Sequence, residues 1–189
     1  STGGINLQDS SGEITIGIVT TTDLKIGSGS TILATSTGGV GIGTLSARAN
    51  LDVEGHTRFK SYSENVEAAI ISGGIAAVDL SAAQSFTLNL TENVNTLRID
   101  PSAEIPDDAS MFTIKIQQSS VPKTMNLDNI QIGTGANCIV KWPGGVIPVV
   151  SNAANATDIY SFKIFDGAGL KADAATGIVY GIVGGQNFS

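Results

Sequence analysis

The sequence is short of the residue types on which disulfide-rich domains and many enzymes depend. It has one cysteine, Cys138, and one histidine, His56, so no intrachain disulfide can form. If the protein is extracellular, its stability must come from burial and oligomerisation. A Cys–His nucleophile pair would also need a third group that orients the base. We therefore expect a surface or axial histidine and a buried thiol.

Charge is scarce as well. Only 14% of residues are charged and the net charge is −7, whereas soluble proteins average roughly 25% charged residues. Nucleic acids and anionic membranes are bound through basic patches, and no apolar run approaches the roughly 20 residues of a membrane span. The sequence thus predicts no nucleic-acid partner and no membrane insertion. The start at Ser1, without Met, is expected of a fragment of something longer.

Aromatic residues are absent before Phe59. Residues 1–58 are short β-capable runs separated by Gly, Ser and Thr, and each run brings only two or three small aliphatic side chains. Burying one Val or Ile contributes roughly 1.5–3 kcal/mol, while ordering each residue costs about 1–2 kcal/mol. Such a block is barely stable alone, but three chains could share one interior. We predict an intertwined, glycine-rich β-stalk in a homotrimer.

The stretch from Gly38 to Thr44 has the glycine spacing of a phosphate loop. Thr44, however, stands where such a loop needs lysine, and no helical pattern follows. We interpret the stretch as β-structure of the stalk.

Residues 59–71 are predicted to be a connector with a short helix or strand, and residues 72–189 to be a β-sandwich tip domain. Longer runs with alternating apolar residues recur in the tip, its prolines fall between the runs, and no run has a 3.6-residue period. The chain is therefore predicted to be all-β. The predicted tip strands are 77–80, 85–90, 96–99, 111–116, 138–142, 158–165 and 177–183.

A series of motifs then follows in a fixed order. These are Leu90-Thr91-Glu92-Asn93-Val94, Trp142-Pro143-Gly144-Gly145 with Pro148, Thr157-Asp158 with Phe165-Asp166-Gly167, and Tyr180-Gly181 with Gly185-Gln186-Asn187-Phe188. The series resembles the C-terminal tip domain of tail-fibre-like virion proteins of bacteriophages, especially the marine cyanophage type. The Val40-Gly41-Ile42-Gly43-Thr44 and Leu51-Asp52-Val53 segments look like the repeats that precede such tips, with Ser46 or Ala47 where those repeats have proline.

This resemblance implies a homotrimeric virion appendage located outside the cell. Its expected partners are two further copies of the chain, other virion proteins on the N-terminal side, and a cell-surface glycan. The expected function is structural display with host-surface adhesion and without enzymatic chemistry.

Three aromatic residues, Trp142, Tyr160 and Tyr180, are candidate contacts for a glycan or receptor. Each is flanked by apolar strand residues, so packing in the core or at an interface is the competing interpretation. The segment from Asp166 to Asp173 lacks the ligand pattern of a calcium loop and is predicted to be a hairpin loop. Asp107-Asp108 is predicted to be a solvated loop. We predict no catalytic residue, no metal site and no cofactor.

Three other functions remain open. Glycoside cleavage would need two carboxylates at a separation that the fold fixes, and no dense acidic and aromatic cleft is apparent. A monomeric carbohydrate-binding module or bacterial adhesin domain would bind glycan through Trp142 or a tyrosine. A capsid decoration or whisker fibre would share the trimer and differ in its place on the virion.

Overall fold

The computed structural model describes residues 40–42, 49–100 and 109–188. The chain divides into two compact units, Ser1–Lys60 and Ser61–Ser189. Most of the predicted stalk lies outside the described residues, and so does Asp107-Asp108.

The described part of the first unit contains two short parallel strands. In register, Val40 of β1 (Val40–Ile42) lies opposite Leu51 of β2 (Leu51–Val53). The backbone N–H of Val40 also donates to the carbonyl of Asn50 at 2.8 Å. Both segments were expected to be β-structure, and the strand at 40–42 agrees with that interpretation of the glycine-rich stretch.

The second unit is built from strands, which confirms the prediction of an all-β chain. Its sheets mix parallel and antiparallel pairs. One sheet has six strands in the order β10-β12-β11-β8-β6-β3, and the other has four in the order β4-β5-β7-β9. The strands are β3 (Val66–Ala68), β4 (Ile70–Ser72), β5 (Ile75–Val78), β6 (Ser85–Leu90), β7 (Thr96–Ile99), β8 (Ser110–Gln118), β9 (Ile130–Ile132), β10 (Ile139–Lys141), β11 (Thr157–Ile164) and β12 (Ile178–Phe188).

From β3 to β10 the chain passes back and forth between the two sheets. In the six-stranded sheet β3, β6 and β8 pair in parallel, and in the four-stranded sheet β5, β7 and β9 do the same. Val94 and Met125 form a further parallel bridge outside the named strands. The middle of the unit is therefore a short coil of parallel strands. β11 and β12 then add antiparallel pairs beyond β8.

Alternation along the strands sends one set of side chains into the core. In β11 and β8 every second residue is buried, and the aromatic rings of Phe112 and Phe162 stack at 5.0 Å between centroids. Buried residues of both sheets belong to one hydrophobic cluster. Fully buried members include Leu88, Leu97, Ile99, Ile114, Ile130 and Tyr160.

Three details differ from or refine the sequence predictions. The predicted connector contains β3 and the start of β4. β3 pairs with β6 in the six-stranded sheet, and β4 pairs with β5 in the four-stranded sheet. No strand was predicted at β9. The hairpin loop predicted from Asp166 to Asp173 is wrong, because a helix, α1 (Gly167–Ala172), lies there. The carboxylate of Asp166 caps that helix by accepting the Gly169 N–H at 2.8 Å, and Leu170 is buried.

Across the part of the chain that the structure describes, no helix is long and apolar enough to span a membrane.

Candidate functional site

The three predicted aromatic contacts lie in two different environments. Trp142 directly follows β10 and Tyr160 is in β11; both are in the core, with ring centroids 6.1 Å apart. Tyr180, in β12, has buried neighbours on either side and is itself 40% exposed. The structure thus brings Trp142 and Tyr160 together and sends Tyr180 to the outer face of the six-stranded sheet.

Tyr160 is a buried packing residue. Its hydroxyl donates to Asp158 Oδ2 at 3.3 Å and accepts from Gln186 Nε2 at 2.6 Å. Burial, followed by the charge of Asp158, raises the pKa of the Tyr160 hydroxyl above its ordinary value. Because the side chain is fully buried, Tyr160 has no ring face open to a ligand, and its place matches the packing alternative.

Trp142 is only 7% exposed. Its ring meets those of Tyr160 and Phe162 edge-on. It also lies against the backbone of β12 at Gly181, where an added Cβ would collide with the ring. The indole Nε1 is buried without an acceptor among the described residues. Trp142 is therefore held by packing of its apolar surface.

A buried carboxylate that the sequence did not single out lies beside these rings. Asp158 is 2% exposed and accepts hydrogen bonds from the backbone N–H of Ser151 (2.6 Å), the Ser151 hydroxyl (2.7 Å) and the backbone N–H of Asn187 (2.8 Å). The hydroxyl of Tyr160 is a fourth donor. The sequence signal was available, since Asp158 is in phase with the buried residues Tyr160 and Phe162.

The pKa of Asp158 reflects this environment. Burial alone would raise it, but the donated hydrogen bonds, first among them that from the Ser151 N–H, lower it below the ordinary value. A carboxylate that already accepts four hydrogen bonds is a poor general base. Asp158 instead anchors the segment at Ser151 and the end of β12 near Asn187 to β11.

The outer surface around Tyr180 is the most open aromatic feature among the three candidates. We use the name Tyr180 face for the outward-facing residues Lys141, Lys163, Phe165, Ile178, Tyr180 and Ile182. Within it, the rings of Phe165 and Tyr180 meet edge-on at 5.5 Å between centroids. Lys163 Nζ lies 5.6 Å from the centroid of the Phe165 ring.

Tyr180 lines two adjacent cavities. One has a volume of about 250 Å³ and is bordered on its other sides by Phe165, Asp166 and α1. The second has a volume of about 380 Å³, and it lies where β10 ends and the chain turns at Pro143. Its remaining walls are formed by Lys141, Trp142, Pro143, Gly181 and Ile182. The second volume is within the range of small-ligand pockets, roughly 300–1,000 Å³, and the first is just below it.

Positive charge is concentrated on this side of the sheet. Among the described residues, outward positions of β8, β10, β11 and β12 include the lysines 115, 141 and 163 and no carboxylate. Toward the β3 end of the same sheet, the Glu64 carboxylate accepts a hydrogen bond from the Ser85 hydroxyl of β6 at 2.9 Å. Within the described part of the chain, no carboxylate forms an ion pair with Lys141 or Lys163; the Arg98–Asp100 pair at 3.1 Å lies in the other sheet. A local cationic surface is therefore present on a chain whose net charge is −7.

Neither Cys138 nor His56 takes part in a reactive constellation of the described residues. Cys138 is buried, its thiol donates to the Ile130 carbonyl at 3.2 Å, and burial raises the pKa of the thiol to about 11. His56 is exposed and belongs to the first unit. Over residues 40–42, 49–100 and 109–188, no group of three or more His, Cys, Asp or Glu side chains could hold a metal ion.

No protein-family model, no curated protein and no solved structure matches this chain.

Proposed function

We propose that the chain is part of a non-enzymatic, homotrimeric appendage of a bacteriophage virion, of the tail-fibre type. Residues 1–58 form its intertwined stalk, and the two sheets of the second unit form a β-sandwich tip. The tip adheres to a glycan on the host surface through the Tyr180 face. The number three and the place on a virion derive from the sequence resemblance.

The observation that carries the assembly proposal is the exposure of large apolar side chains in the single chain. In the first unit Leu51 and Phe59 are more than half exposed, and in the second unit Tyr62, Val66 and Ile70 are too. These exposed apolar side chains recur along residues 51–70, as expected of a segment that further copies of the chain cover. Additional copies of the chain would bury these side chains.

The assembly is tested by light scattering coupled to gel filtration on the full chain. We expect the mass of a trimer, and Ile70→Asp should shift the mass toward that of a monomer. Val121 is a matched control, because it is similarly exposed but lies in the loop between β8 and β9. A monomeric wild-type chain at micromolar concentration would contradict the proposal.

Adhesion through the Tyr180 face is supported by the shape and chemistry around that side chain. An exposed aromatic ring between two cavities offers an apolar platform to a sugar ring, with polar groups at its rim. On a glycan array we expect Tyr180→Ala to abolish the signals of the wild-type chain, whereas Tyr180→Phe, which keeps the ring, should retain most of them. Unchanged array signals for Tyr180→Ala would exclude this face.

A monomeric carbohydrate-binding module is the second candidate. It is favoured by the hydrophobic cluster of the second unit, whose buried members run from Ala76 to Val179. In that case the wild-type chain would be a monomer and would still bind glycan through Tyr180. Immunogold labelling of virions would separate a tail fibre from a capsid decoration or whisker fibre.

A further inference from the structure

We propose that the glycan bound at the Tyr180 face is anionic and that its acidic group is bound beside Lys141. The inference rests on the proposed glycan adhesion and adds the charge class of the ligand. A carboxylated sugar is the chemistry that the face fits, because it combines an apolar ring face with one negative group.

The strand register places a lysine on each side of Tyr180. Lys141 of β10 is the direct partner of Tyr180 in β12, and Lys163 of β11 is its partner on the other side. Neighbouring strands of a sheet lie roughly 4.7–4.9 Å apart, so both lysine side chains stand next to that of Tyr180. An aromatic ring is thus bracketed by two cationic side chains, and a sugar ring stacked on Tyr180 would place its substituents within their reach.

The two cavities differ in the charges of their walls. The cavity on the Phe165 side has the carboxylate of Asp166 in its wall, and Lys163 is held over the Phe165 ring. None of the described residues that line the cavity on the Lys141 side is a carboxylate. An anionic group is therefore repelled less on the Lys141 side, where the ammonium group is exposed.

The positive charge beside Tyr180 contrasts with the net charge of the chain. A protein of net charge −7 repels anions over most of its surface at long range. Beside Tyr180, two lysines flank the ring, and the described lining of the Lys141-side cavity has no carboxylate, which reverses this locally. Such an arrangement selects anionic ligands by charge complementarity and makes their binding sensitive to salt.

The test measures binding of the full chain to a panel of glycans with matched charge. The acidic probes are oligogalacturonate, oligomannuronate, sialyllactose, a heparin oligosaccharide and a glycerol-phosphate teichoic acid; the neutral probes are cello-, malto- and manno-oligosaccharides and lactose. The variants are Lys141→Gln and Lys163→Gln. Lys123→Gln is the control, since Lys123 lies in the loop after β8 and its contacts with Gln118 use backbone atoms.

We expect a carboxylated probe to bind more tightly than every neutral probe, and less tightly as salt is raised. Losing one charge-assisted contact should weaken the affinity about tenfold in Lys141→Gln, less in Lys163→Gln, and not at all in Lys123→Gln. Stronger binding of teichoic acid than of the uronates, with the same dependence on Lys141, would support the anionic class and identify phosphate as its group.

Other results would overturn the inference in distinguishable ways. Binding of neutral glycans that depends on Tyr180 but not on Lys141 would refute the anionic ligand and leave glycan adhesion standing. Absence of binding to all probes would refute both. If Lys141→Gln or Tyr180→Ala instead lowered the oligomeric mass, the face would be an interface between copies of the chain.

Discussion

The indole ring of Trp142 lies directly against the backbone of Gly181, at the point where β10 ends and β12 continues with β11 as its partner. A Cβ at position 181 would overlap three atoms of the ring. Because Gly181 has no side chain, the indole of Trp142 can pack on the backbone of β12 and contact the rings of Tyr160 and Phe162.

We therefore predict that Gly181→Ala destabilises the protein by about 1–3 kcal/mol, the usual effect of overpacking a filled core. The ring would have to move outward, so the fluorescence of the only tryptophan should shift to the red. Urea unfolding followed by fluorescence measures both effects. Ile182→Ala, at an exposed neighbouring position, is the control, and equal stability of Gly181→Ala and wild type would contradict this account of the packing.

Local alternation predicted the strands that have one buried face. β6 and β7 were found with their bounds, since apolar residues recur at every second position of Ser85–Leu90 and the flanking residues are turn formers. β9 was missed because Ile130–Ile132 is only three residues long. α1 was missed because six residues with two glycines cannot establish a helical period.

The pairing of strands could not be predicted, because alternation identifies the buried face of a strand and says nothing about its neighbour. The alternating sequence patterns did not indicate that β6 and β8 pair in parallel or that β8 and β11 pair antiparallel. For the site, the burial of Tyr160 was predictable from its phase with Phe162. The role of Lys141 was not, since it depends on the register with Tyr180.

Cys138 provides a probe of global opening. Because burial raises its pKa to about 11, almost none of the thiol is ionised near neutral pH, and the thiolate is the reactive form. We predict that Ellman's reagent at pH 8 modifies the native protein very slowly and modifies the protein in guanidinium chloride rapidly. The Cys138→Ser variant serves as the blank. Rapid modification without denaturant would show that this strand end opens readily.

Removing the N-cap of α1 should lower the stability of the protein by a small amount. Asp166 accepts the Gly169 N–H at 2.8 Å, and loss of such an N-cap costs about 1 kcal/mol. Asp166→Ala should lower stability by that amount, while Asp166→Asn, which keeps an acceptor, should recover most of it. Thermal unfolding compares the variants, and an equal loss in both would mean that charge rather than capping is at work.

The lowered pKa of the Asp158 carboxyl should make the stability of the protein depend on pH. Because the pKa of this carboxyl is lowered in the folded state, the folded protein binds the proton more weakly than the unfolded chain does. The stabilisation from this carboxylate is fully present above the unfolded value, roughly 3.9, and is lost as the pH falls through the lower folded pKa.

Asp158→Asn leaves the N–H groups of Ser151 and Asn187 facing an amide that can accept with one oxygen only. We expect a loss of about 2–4 kcal/mol at pH 7, because one unsatisfied buried donor alone costs about 1–3 kcal/mol. The difference between the variant and wild type should shrink as the pH falls below about 4, since protonation weakens the same contacts in wild type. Asp128→Asn, at an exposed position, controls for removing a charge. Urea unfolding at pH 7, 5 and 3 measures the differences, and a constant difference across that range would mean that the carboxylate charge of Asp158 contributes nothing to the anchor.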